Sequence, residues 1–220
     1  MIKDWSQYPI QIHNGLVTTE RGIKTSATYQ GLKDLCEYVT DEGQGTVAEI
    51  GSYAGEGTIL FSYRFKDVIC VDPWINGYDK NDISSNRFDM EIVHTSFLKR
   101  VESCPNIQVY YCESTDILDL VENNSLTLAY IDAIHQCGPV KDELWNWIKK
   151  VNIDGYIGGH DFTGYWGEVV DAIVDTIGLP DVIFKDKSWI KAKKSIIDGT
   201  NVLNPNIANL YLKGKGIRPR

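Results

Sequence analysis

The sequence predicts an α/β fold, an open and mostly parallel sheet covered by helices, on three observations. Short β-rich runs alternate with longer helical patterns along most of the chain. A turn containing Gly51, Gly55 and Gly57 follows the first of these runs. Two further β-rich runs near the end, "DVIFKD" and "SWIKAKK", are separated by almost nothing.

Size and composition agree with such a domain. The chain has 220 residues, 43% hydrophobic and 24% charged, enough to bury about 70% of its unfolded surface without staples. Cys36, Cys70, Cys104, Cys112 and Cys137 form no C-x-x-C pair, and an odd number argues against a complete disulfide framework. Reduced thiols are expected. No apolar run approaches the roughly 18 residues that cross a bilayer, and "MIKDWSQYPI" lacks the charged-then-apolar signal pattern. The expectation is a cytoplasmic protein without a membrane partner. With 22 basic against 30 acidic residues the formal charge is −8, which repels a nucleic-acid backbone and favours a small or neutral substrate.

In chain order, residues 1–22 show no clear periodicity and read as a flap; one domain is expected over 23–220. Strands are predicted over 46–50, 67–72, 107–113, 126–132 and 155–159. Between them, "SATYQGLKDLCEYVT", "NRFDMEIVHTSFLKRVES" and "VKDELWNWIKK" space apolar residues by three and four, as amphipathic helices do. Trp145 and Trp147 are two apart, so they cannot share a helix face and at least one should pack on the sheet. The link between "DVIFKD" and "SWIKAKK" permits only an antiparallel hairpin, because a parallel pair needs a crossover of about a dozen residues. The sheet should therefore end in one reversed strand. The closing "YLKGKGIRPR" is basic and Gly/Pro-punctuated, a second loose end.

In open α/β sheets ligands settle at the carboxyl ends of the strands, where the first turn must let backbone approach closely. Gly51 and Gly55 permit that approach, and the helix expected after Gly57 offers unpaired N–H groups. Asp72 closes the second strand about 20 residues after Gly51, where a carboxylate can accept both hydroxyls of a ribose. A nucleoside-bearing ligand is the consequence. The dinucleotide fingerprint G-x-G-x-x-G fails, since "GEGTIL" has Leu60 at its third glycine, and no G-K pair follows to make a phosphate loop.

The turn "AEIGSYAGEGT" resembles the first motif, E-x-G-x-x-x-G, of the class I methyltransferases that bind S-adenosylmethionine (SAM). The similarity runs on through "VDPW", "CEST", "YIDAIH", "GGHDF" and "KDKSW", about residues 46–194. Within that class the chain is most similar to the small metal-dependent O-methyltransferases: catechol-type enzymes, macrolide-sugar enzymes and the group named for cephalosporin hydroxylase. The resemblance implies a Rossmann-like, seven-stranded sheet, mostly parallel with an antiparallel last strand and helices on both faces. It also implies that Glu49, Gly51, Ser52 and Tyr53, with Gly55 and Thr58, hold the methionine part of SAM, and that Asp72 holds the ribose. Trp74 would flank the adenine, or else pack in the core, and Glu113 or Ser114 would meet the adenine edge. Catechol-type members usually carry Ser where this chain has Gly57.

SAM supplies an activated methyl group, so the protein must position an acceptor and make it nucleophilic. Asp132 with His135, and His160 with Asp161, are the suitable groups at two strand ends. By resemblance, Asp132, His160 and Asp161 would bind a divalent cation, Mg²⁺ or Mn²⁺, with Asp132 also bordering the cofactor. An imidazole in that set shifts preference away from Mg²⁺; alternatively His160 only bonds to Asp161. His135 stands where catechol-type enzymes carry a proton-accepting lysine and sugar-modifying ones a histidine. With an ordinary pKa of ~6.5 it would be mostly in its basic form at neutral pH; otherwise it fixes the loop by bonding a carboxylate. His94 reads as a packing or surface residue, and Tyr165 or Trp166 as a wall of the acceptor pocket.

The expected function is SAM-dependent O-methylation of a small molecule or sugar. An iron-dependent hydroxylase on the same scaffold and a non-catalytic SAM-binding module are the alternatives. A homo-oligomer, with one subunit's flap completing another's site, is compatible with either end of the chain.

Overall fold

A computed structural model of the chain describes residues 10–199. Its strands are β1 (Gln11–His13), β2 (Leu16–Thr18), β3 (Thr46–Ile50), β4 (Asp67–Val71), β5 (Ile107–Tyr110), β6 (Leu126–Ile131), β7 (Val151–Gly159), β8 (Val182–Ile183) and β9 (Trp189–Ala192). Its helices are α1 (Ala27–Val39), α2 (Glu56–Arg64), α3 (Ser84–Arg87), α4 (Met90–Val101), α5 (Cys137–Trp147), α6 (Gly167–Ile177) and α7 (Lys193–Ile197).

Seven strands form one sheet in the order β5-β4-β3-β6-β7-β9-β8. Five are parallel neighbours, and β9 runs antiparallel to both β7 and β8. The expected hairpin is present, with Val182 opposite Ile190 and Ile183 opposite Trp189. Its reversed strand is last in the chain but lies one place inside the sheet edge. Chain direction turns around between β3 and β6, since β4 and β5 build outward on one side and β7 on the other. That reversal opens a crevice at the carboxyl ends of β3 and β6.

Alternation along the strands sorts the core into two layers. Val47 and Leu128 face Leu32 and Leu35 of α1, Phe61 of α2 and Phe97 of α4. Ala48 and Ile50 face Leu144 and Trp147 of α5 and Ile173 of α6. Each of these large side chains contributes about 1.5–3 kcal/mol by leaving water. Trp147 is fully buried whereas Trp145 is 58% exposed, as the two-residue spacing required. All five cysteines are unpaired. No helix among the described residues is long and apolar enough to cross a membrane.

Three expectations are corrected. First, 10–22 is not featureless: β1 and β2 form a hairpin around Asn14 and Gly15, both left-handed at φ 50 and 74. An Asn-Gly pair is the usual signal for such a turn, but three-residue strands leave no periodicity to notice. Second, α2 begins at Glu56, capped by Gly55, so Gly57 lies inside the helix. Third, β4, β5 and β6 stop before Asp72, Glu113 and Asp132; Asp72 and Asp132 sit just beyond the ladder and line the crevice, whereas Glu113 lies three residues past β5 and does not. The basic tail "YLKGKGIRPR" lies outside the described residues.

Candidate functional site

The crevice opens into a cavity of about 640 Å³ lined by Gly51, Ser52, Tyr53, Asp72, Asp132, His135, His160 and Asp161, together with Arg21, Tyr78 and Trp166. That volume lies in the usual range for small-molecule sites. Gly51 makes it possible. Its φ is +89°, and a methyl group there would come within 2.1 Å of the Asp132 carbonyl oxygen. Beside it, Glu49 is 1% exposed, accepts a short hydrogen bond from the Thr58 hydroxyl and lies 3.7 Å from the Cys70 thiol. Gly57 leaves room for this carboxyl, since a methyl group there would sit 2.5 Å from Glu49 Oε1.

Asp72 is gripped by the turn itself. The Tyr53 amide donates to Oδ2 at 2.8 Å and the Trp74 amide to Oδ1 at 2.7 Å. Both donors are left-handed, at φ 46 and 42, a conformation that costs non-glycine residues about 1 kcal/mol or more. A carboxylate has about four acceptor positions, so room remains for hydroxyl donors. The Trp74 ring turns away from the cavity into an aromatic cluster, 4.4 Å from His94, 5.0 Å from Phe97 and 5.3 Å from Tyr111. Its indole N–H donates to the Tyr53 carbonyl at 2.8 Å. Glu113 accepts from the Tyr78 hydroxyl at 2.5 Å, and Ser114 donates to Glu143. Trp74, Glu113 and Ser114 are not among the lining residues; Pro73, Ile75 and Tyr78 line this end instead.

At the other end Asp132, His160 and Asp161 converge, each with one ligand atom within 4.8 Å of the others. Asp161 is left-handed at φ 66, just past β7. Its Oδ2 lies 3.0 Å from His135 Nε2 and its Oδ1 3.1 Å from His160 Nδ1. Asp79 holds the far side of His135: one of its oxygens accepts from both the backbone amide and Nδ1, each at 2.9 Å. Trp166 stacks on the imidazole with ring centres 3.9 Å apart. Arg21 meets Asp132, Nη1 to Oδ2 at 2.8 Å, with the two side chains only 16% and 15% exposed. Sequence reasoning found neither Arg21 nor Asp79. Arg21 lies in a single 3-10 turn, Glu20–Gly22, and Asp79 in an irregular segment, neither with a motif, so no local signal marks them.

A family model described as a methyltransferase domain matches residues 48–162, just over half of the chain. The chain belongs to the methyltransferase domain family. Two solved structures share its fold. A Corynebacterium glutamicum protein superposes with a TM-score of 0.52 at 13% identity, covering 76% of this chain and 80% of its own. A Streptococcus mutans protein described as a candidate methyltransferase, in complex with S-adenosylhomocysteine, gives 0.50 at 13% identity over 72% of this chain and 92% of its own. For a tRNA methyltransferase of Aquifex aeolicus the values are 0.49, 14% and 66%, and this chain spans 51% of its length. No curated protein matches the chain.

Burial and charge set the protonation states of the groups around the cavity. Burial pushes Glu49 up to about 7, against the opposing pull of Thr58 and Arg21, and Asp72 up to about 6, against its amide donors. Burial alone would lower His135, but Asp161 on Nε2 and the charges of Asp82 and Asp79 raise it to about 9. His135 is therefore an imidazolium at neutral pH, which corrects the expectation of a mostly basic ring. Although burial opposes it, the charges of Asp161 and Asp132 likewise raise His160. Against its own burial, Asp161 is held well below the usual carboxylate range, first by His160 and then by His135.

The Glu49 and Asp72 shifts fix the sign of a stability change. Both folded values lie above those of an unfolded carboxylate, so the folded chain binds these protons more tightly. Their stabilising contribution is complete below about pH 4 and is lost as pH rises through about 6 to 7. Between pH 5.5 and 8 the loss for Glu49 is on the order of 2 kcal/mol, about 5 °C in melting temperature. Glu49→Gln stays neutral throughout, so thermal melts at pH 5.5 and 8 should show a smaller decline than wild type by about that amount. Parallel curves would mean that Glu49 does not take up the proton.

The trio at Asp132 also suits a divalent ion. His160 turns Nδ1 towards Asp161 and its buried Nε2 towards Asp186, 4.0 Å away, and two carboxylates with one imidazole, their ligand atoms within 4.8 Å of one another, favour Mn²⁺, Fe²⁺ or Zn²⁺ over an all-oxygen Mg²⁺ cage.

Proposed function

We propose that this methyltransferase moves the methyl group of SAM to a hydroxyl oxygen of a small molecule or sugar, with a divalent cation, Mg²⁺ or more readily Mn²⁺, held by Asp132, His160 and Asp161. The observation that carries the reading is the meeting of two features in one cavity: the glycine turn with Asp72 at one end, and the Asp132 trio at the other. On this reading Glu49, Gly51, Ser52, Tyr53, Gly55 and Thr58 form the seat of the methionine end, and Asp72 receives the ribose hydroxyls. Glu113 reaches the adenine edge through Tyr78, its present partner, which lines the cavity, while Ser114 bonds Glu143 behind it. Trp74 supports that region from behind.

When bound, the cation supplies a Lewis acid that lowers the pKa of the acceptor hydroxyl and orients it. The chain's own residues do the rest. Tyr165 and Trp166 wall the acceptor side and limit its contact with water. Asp79, His135 and Asp161 form a hydrogen-bonded row that holds Asp161 in place. We assign His135 the acceptor's proton, taken by the deprotonated fraction that grows as pH rises towards 9. A cytoplasmic location and the absence of nucleic-acid and membrane partners belong to the same reading, as does a homo-oligomer.

Isothermal titration with SAM and with S-adenosylhomocysteine, each with and without Mn²⁺, tests it. The expected result is micromolar binding of both, followed by methylation of a vicinal diol or sugar in an acceptor screen. Binding of neither ligand would end the methyltransferase assignment for this cavity.

A further inference from the structure

We infer that Arg21 and a divalent cation are alternative partners of Asp132, so that the guanidinium must leave before the cation site can fill. The inference rests on the metal-assisted reading above and adds a competitor from within the chain.

Arg21 is delivered to the site by a well-anchored segment. Val17 donates its amide to Ser96 Oγ at 3.1 Å and accepts from Arg100 at 2.9 Å through its carbonyl. The Thr19 amide lies 3.1 Å from both carboxylate oxygens of Glu56, and its hydroxyl bonds the same group. Gly22 backs against Glu56 so closely that a methyl group would sit 2.1 Å from Oε1. These contacts fix the backbone on either side of Arg21 over the cavity, and its long side chain reaches inward to Asp132.

In this arrangement the trio is already compensated. Arg21 covers Asp132, while His135 and His160 cover the two oxygens of Asp161. A divalent ion bound to Asp132 would stand about 2–2.5 Å from its oxygens. A guanidinium 2.8 Å from the same carboxylate would then face it across a few ångströms with little water between. Two cations at that separation repel strongly in a poorly hydrated site. Both cannot stay. The guanidinium is the mobile one: its bond to Asp132 is the side-chain hydrogen bond it makes in the described structure, and its buried Nε has no partner. Rotation about the side chain frees Asp132 without moving the Thr19 anchor. In the meantime Arg21 keeps a buried carboxylate from standing unpaired, a state that is strongly destabilising.

Mn²⁺ titrated by calorimetry into wild type, Arg21→Gln and Asp132→Asn tests the competition, with circular dichroism to confirm folding. We expect Arg21→Gln to bind Mn²⁺ at least tenfold more tightly than wild type, and Asp132→Asn to bind at least tenfold more weakly. Equal or weaker binding by Arg21→Gln, with Asp132→Asn still impaired, overturns the inference and leaves the metal site standing. No binding by any of the three proteins at millimolar Mn²⁺ overturns both. If Arg21→Gln proves unfolded, Arg21→Met, which keeps the apolar stem and removes the charge, is titrated in its place with the same tenfold expectation, and unchanged Mn²⁺ affinity in it counts against the inference.

Discussion

Replacing Asp161 by alanine should lower kcat by a thousandfold or more, about 4 kcal/mol of transition-state stabilisation, while SAM affinity changes less than threefold. Asp161 is the node of the acceptor side. Its two oxygens receive His135 and His160, and it is one of the three groups that converge with Asp132. Removing it takes away a candidate cation ligand and the counter-charge of two buried imidazoles at once. It also frees His135 from the carboxylate that most raises its pKa, so the alkaline rise in residual activity should move towards neutrality. The SAM side is untouched, because Asp72 is held by the Tyr53 and Trp74 amides on the other side of the cavity. Turnover is measured as S-adenosylhomocysteine released with the acceptor found by screening, and SAM binding by calorimetry. Asp161→Asn keeps the shape and removes the charge. If Asp161→Ala retains more than a third of wild-type kcat, the trio has no part in the chemistry.

The sheet and the grouping at its edge were legible because a parallel sheet brings all its strand ends to one side. Residues that follow separate strands in sequence, such as Gly51, Asp72, Asp132 and His160, must then meet near one crevice. Strand 46–50 was recoverable to the residue, since its apolar run stops at the glycine turn. What escaped is what depends on distant partners. Arg21 reaches Asp132 across 111 positions, and Asp79 reaches His135 across 56; neither pairing leaves a periodicity or spacing in the chain. The protonation of His135 followed from those partners, so an ordinary pKa was the only value the sequence could suggest. The orientation of Trp74 depends on its φ of 42, a backbone choice that the run "VDPW" does not announce.

Gly51→Ala should weaken SAM binding at least a hundredfold, about 2.7 kcal/mol, and lower the melting temperature as well. Two effects coincide at this position. An L-residue at φ +89° is strained by about 1–3 kcal/mol, and its methyl group would lie 2.1 Å from the Asp132 carbonyl oxygen, 2.6 Å from the carbonyl carbon and 2.9 Å from Ala133 Cα. Those neighbours are backbone, so they cannot rotate away. Relief requires the end of β3 to draw back from β6, and the bond from the Asp132 amide to the Ile50 carbonyl, 2.8 Å long, stands in the path. Either the bond breaks or the turn refolds, and both displace the Ser52 and Tyr53 amides from the floor of the crevice. Gly15→Ala separates strain from crowding: Gly15 is also left-handed, at φ +74°, but nothing lies within 4 Å of its methyl position. That variant should lose some stability and keep its SAM affinity. If calorimetry finds Gly51→Ala binding SAM as tightly as Gly15→Ala does, the cofactor does not sit over the junction of β3 and β6, and the glycine turn serves the fold alone.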